Sequence, residues 1–72
     1  MGEVDRITHE QLEYAIDATV ALTIDEICRI TRKEYNSVLY EFLKSNTAAI
    51  IYDESTKLWS YGPAYLAEMY LK

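Results

Sequence analysis

The stretch Ala48-Ala49-Ile50-Ile51-Tyr52-Asp53-Glu54-Ser55-Thr56-Lys57-Leu58-Trp59-Ser60-Tyr61 decides how this chain is read. Its first five residues are apolar and β-prone, and the next four form a polar turn. From Lys57 to Tyr61 the chain reads as a second strand with period two. The pattern predicts a β-hairpin over 48–61 with a four-residue loop. Gly62-Pro63 then breaks the strand. Pro63 suits the first turn of a final helix over about 64–71, in which Glu68 is the one charged residue.

Ahead of the hairpin, three Thr-x-x-Glu/Gln signatures divide the chain, starting at Thr8, Thr23 and Thr31. In such a box the Thr hydroxyl accepts from the backbone N–H three residues on, and the Glu or Gln reaches back. Each opens an apolar-periodic run. The first predicts a helix over about 9–20, with Leu12, Ala15, Ile16 and Thr19 on its inner face and Val20 at the edge. The second predicts a helix over about 24–30, with Ile24, Ile27 and Cys28 inward. Between them Ala21-Leu22-Thr23 reads as a short strand. The third predicts a helix over about 32–45, with Tyr35, Val38, Leu39, Phe42 and Leu43 on one stripe. Asn46 is placed to end it in the left-handed conformation.

Composition narrows the function classes. The chain has 72 residues, half of them apolar, so one small domain is expected. A chain of this size hides about 60% of its unfolded surface. Cys28 is the single cysteine and His9 the single histidine, which excludes a disulfide framework and a Cys/His zinc site. Cys28 reads as a small buried hydrophobe and His9 as an incidental surface residue. Two glycines exclude a Gly-rich phosphate loop. No nucleophile motif or buried acid pair appears, so the chain is read as no enzyme, with no cofactor and no metal. No apolar run reaches the ~18 residues of a membrane span, and no signal peptide precedes the first helix. A cytoplasmic protein is expected.

The order helix, short strand, helix, helix, hairpin, helix resembles the winged helix-turn-helix superfamily. The residues that carry the resemblance are Leu22-Thr23-Ile24-Asp25-Glu26-Ile27, Thr31, Leu39-Tyr40-Glu41-Phe42-Leu43 and Lys57-Leu58-Trp59. It implies an α+β fold: a three-helix core, a two-stranded β-hairpin wing and a C-terminal helix, in one domain over 1–72. It also implies that the third helix is the recognition helix and sits in the major groove of double-stranded DNA. Its exposed stripe then supplies the contacts. Arg32, Lys33, Asn36, Ser37 and Tyr40 reach bases or phosphates, while Arg29, Lys44 and Lys57 grip the backbone. The alternative for that stripe is a solvated face.

Few positive charges mean weak binding by one copy, so this reading asks for a homodimer. The final helix offers Tyr65, Leu66, Met69 and Tyr70 as an interface, together with Tyr14 and Ala18 of the first helix. Trp59 is assigned to packing in the core or at the wing base, with stacking on a sugar or base as the alternative. The function expected is a small dimeric transcription regulator.

Charge keeps a second class open. The formal net charge is −5. Residues 1–26 carry Glu3, Asp5, Glu10, Glu13, Asp17, Asp25 and Glu26 against Arg6 alone, and the wing turn carries Asp53 and Glu54. These acids favour a protein-interaction module with a basic partner, as a subunit of a larger complex or as an inhibitor.

Overall fold

In the computed structural model, residues 8–72 are described; Glu3, Asp5 and Arg6 of the acidic first third lie outside them. Four α-helices follow in order: α1 (His9–Thr31), α2 (Tyr35–Leu43), α3 (Asn46–Tyr52) and α4 (Pro63–Leu71). Two 3₁₀ turns, Glu54–Thr56 and Leu58–Ser60, join α3 to α4. No strand occurs among the described residues. The fold is therefore a small all-α one, and the expected α+β winged helix-turn-helix with its hairpin is overturned.

The hairpin fails first at Ala48–Tyr52. The core takes Ala48 and Ile51, which are three residues apart, and leaves Ala49, Ile50 and Tyr52 outside. That is helical spacing. Ser45 starts the helix by accepting the Ala48 N–H on its hydroxyl at 3.2 Å. Asn46 thus stands inside the first turn of α3 and closes no helix in the left-handed conformation. Asp53 takes the Ser55 N–H on its carboxylate at 3.0 Å and nucleates the first 3₁₀ turn. Lys57 lies at φ 57 between the two turns, so it belongs to no wing strand. The Thr56 hydroxyl donates back to the Ile50 carbonyl at 2.8 Å, folding the segment onto the end of α3.

The expected break at 21–23 is also absent. Ile16, Val20, Thr23, Ile24 and Ile27 form one buried face along a single 23-residue helix. Thr23 is fully buried, and its hydroxyl donates to the Thr19 carbonyl at 2.7 Å within the helix. The capping box expected there does not form, because the hydroxyl has a partner one turn back. Thr31 behaves alike, donating to the Ile27 carbonyl at 2.8 Å. Only the box at Thr8 forms, with Thr8 and Gln11 exchanging bonds of 3.0 Å. At the other end Arg32 closes α1 in the left-handed region, φ 64, and donates its N–H to the Cys28 carbonyl at 2.7 Å. Residues 32–34 are therefore a connector, and the helix expected from 32 begins at Tyr35.

The other three helices and the second 3₁₀ turn pack on α1, α4 most extensively. The core joins the α1 face to Val38 and Phe42 of α2, Ala48 and Ile51 of α3, and Leu66 and Ala67 of α4. Tyr70 meets Phe42 edge-on at 5.0 Å between ring centroids. The second 3₁₀ turn is tied to α1 by the Thr19 hydroxyl, which donates to the Trp59 carbonyl at 3.3 Å. Trp59 and Cys28 are half-buried against the core. The result is elongated, 45 × 19 × 18 Å.

Candidate interaction surface

One side of α1 is core; its opposite side is bare. Tyr14 is 78% exposed and Leu22 54% exposed. Ala18, Ala21, Asp25 and Arg29 are exposed with them. These positions recur three or four residues apart, so they lie along one face of the helix. The two apolar stripes arise from one sequence because the chain is apolar at both phases of the 3.6-residue period. Tyr14 and Ala18 were expected at an interface. Ala21 and Leu22 were hidden by their assignment to a strand. The signal that reveals them is the uninterrupted spacing 14, 18, 22 with no Gly or Pro in the helix.

The α4 residues expected at the same interface divide. Leu66 is 0% exposed and sits in the core, so it takes no part in a surface; it faces α1 from the inner side of α4. Met69 and Tyr70 are half-buried against that core. Tyr65 is exposed and stacks on Tyr61 at 5.0 Å.

The residues expected on DNA are all exposed. Asn36, Ser37 and Tyr40 line the outer side of α2. The basic groups are largely engaged. Arg29 pairs with Glu26 one turn back. Lys33 Nζ is 4.0 Å from Glu41. Lys44 Nζ stands 4.3 Å above the Tyr40 ring. Arg32 sits at the end of α1, and Lys57 sits between the 3₁₀ turns. With no hairpin beside the helix at 35–43, the wing that was to bring Lys57 to this face does not exist.

A cleft of about 290 Å³ lies between α1 and the end of α3, lined by Glu13, Ile16, Asp17, Tyr52 and Glu54. The Tyr52 hydroxyl donates to Asp17 Oδ1 at 3.3 Å. Burial, then the Asp17 carboxylate, push the Tyr52 pKa up. His9 bridges the rim, 3.1 Å from Glu13 and 3.6 Å from Glu54. Among the described residues every buried side-chain polar atom has a hydrogen-bond partner. None of them gathers three His, Cys, Asp or Glu side chains fit to hold a metal, and none of their helices is long and apolar enough to cross a membrane.

No protein-family model, curated protein or solved structure matches the chain.

Proposed function

We propose that this chain is a helical protein-interaction module that works through the outward face of α1. The supporting observation is the exposure of Tyr14 and Leu22, with Ala18 and Ala21 between them, on a helix whose other side is already core. A helix apolar on two sides gains by being covered on both. The two alanines allow a partner backbone close approach, while Tyr14 brings area with a polar tip. A photo-reactive amino acid in place of Leu22, in cells that make the protein, tests the reading. A discrete covalent adduct is expected from position 22 and none from the same probe at Lys57. Equal labelling, or none, at both positions overturns it.

Sequence-specific binding of double-stranded DNA is the second reading, supported by the open edge of Asn36, Ser37 and Tyr40 on α2. It ranks second because Arg29 and Lys33 already face acids and the acidic total is unchanged. Selection from random duplexes at two salt concentrations decides it. An enriched, palindromic site with a steep salt dependence promotes this reading; no enrichment removes it.

A further inference from the structure

We infer that His9 is a pH-sensitive latch across the mouth of the cleft between α1 and α3, closed by the imidazolium and released by the neutral ring. The latch stands apart from the outward face of α1 and does not depend on it. On its own helix, Nε2 is 3.1 Å from a Glu13 carboxylate oxygen one turn on. From the first 3₁₀ turn, a Glu54 carboxylate oxygen stands 3.6 Å from Nδ1. Both ring nitrogens thus face carboxylates. A neutral imidazole has one N–H and one lone pair, whereas the cation has two N–H groups. Only the cation turns a proton toward each carboxylate. Loss of one proton leaves a lone pair facing an anion. The Glu13 contact closes within a single turn of α1, so the neutral ring keeps its N–H there. The contact with Glu54 is the one that becomes repulsive.

The place of that contact makes it a latch. The first 3₁₀ turn packs on α3 and on the second 3₁₀ turn. Among the described residues, its polar tie to α1 is Glu54 with His9. Glu13 and Glu54 both line the cleft. A second strap spans it, the Tyr52 hydroxyl donating to Asp17. Burial and then Asp17 hold the Tyr52 pKa above its ordinary value, so that strap keeps its proton through neutrality. Imidazole changes charge between about pH 5 and 8, so one strap titrates there and the other holds. The groups at the cleft are Glu13 and Asp17 of α1, Tyr52 of α3 and Glu54 of the turn. Glu10 adjoins the ring in the first turn of α1, and the Asp53 carboxylate beside Glu54 is engaged by Ser55. These acids favour the cation; the N-terminal end of the α1 macrodipole opposes it. His9 and Glu13 are mostly exposed, so the latch governs a local contact rather than global stability.

Proton NMR on the full chain tests the latch. A cross-relaxation peak between the His9 ring and the Glu54 side chain is expected at about pH 5.5, and it should fall at least about threefold by about pH 8.5. Carboxylates are ionised at both values, so the ring is the group that changes. The backbone amide signals of residues 54–56 should move over the same interval and hold still in His9→Gln. In Glu54→Gln the turn has no anion to offer, and the peak should lose its pH dependence. A native peak of equal strength at both pH values, or none at either, overturns the latch. Amide shifts at 54–56 that persist in His9→Gln overturn it too, as does an unchanged pH response in Glu54→Gln.

Discussion

Ser45 ends one helix and begins the next. Its hydroxyl donates to the Phe42 carbonyl at 2.6 Å and accepts the Ala48 N–H. Ser45→Ala removes both and should cost about 1 kcal/mol of unfolding free energy, read by urea titration. Lys57 holds a left-handed backbone without being glycine. That conformation costs a side-chain-bearing residue on the order of 1 kcal/mol, so Lys57→Gly should leave stability level or raise it by up to about that much. Tyr52 sets a pH limit. Its folded pKa is raised above the usual 10.0, chiefly by burial and then by Asp17. The neutral phenol is the form the fold favours. Its contribution is whole below the unfolded pKa and is lost as pH rises through the folded one. Thermal melts between pH 8 and 11 (about the span of the titration) should show an alkaline loss in the native chain that is smaller in Tyr52→Phe.

At the scale of the element, neighbouring isoleucines separate helix from strand. Ile51 is 0% exposed and Ile50 is 40% exposed. In the helix, Ile51→Ala should cost about 2–5 kcal/mol and Ile50→Ala about 1 or less. Equal losses at both would contradict α3. The assignment of 48–52 to a strand rested on β-prone composition, which is a statement about half-buried pleated surfaces and yields to context. The Ser45 cap, a local term, and the i, i+3 burial of Ala48 and Ile51 in the core together outweigh that preference. In α1 the Thr-x-x-Glu pattern misled for a related reason. A threonine can cap a helix or bond back to the carbonyl four residues earlier, and both uses look alike in sequence. Burial of Thr23 among Val20, Ile24 and Ile27 selects the second.

For the molecule as a whole, ten buried apolar side chains hold the described fold together. A chain of this length has a total stability of about 4–11 kcal/mol. Phe42 is fully buried and is the largest of the ten. Phe42→Ala should cost about 3–5 kcal/mol, a large share of that total, read as a lower urea midpoint by circular dichroism. Leu22 is the contrasting case. Leu22→Glu should shift stability by about 0.5 kcal/mol or less by the same measurement.

Some features were legible in the residues alone. The Thr8 capping box, Pro63 at the head of the last helix, and the inward runs Ile16-Val20 and Val38-Phe42 depend on neighbours within one turn. Local rules specify such features. The identity of residues 21–23 and 48–61 depends on what packs against them. Ala21 and Leu22 continue a helix because Ile16 through Ile27 face α4, α2 and α3 on one continuous side. The helix at 48–52 forms because Ala48 and Ile51 enter the core that α3 shares with α1, α2 and α4, a choice made by long-range burial. The winged fold expected here needs a break at 21–23 and a hairpin at 48–61, and the described residues form neither. The bare face of α1 needed the tertiary structure as well: both sides of the helix are apolar in sequence, and only the packing of the other elements determines which one is left outside.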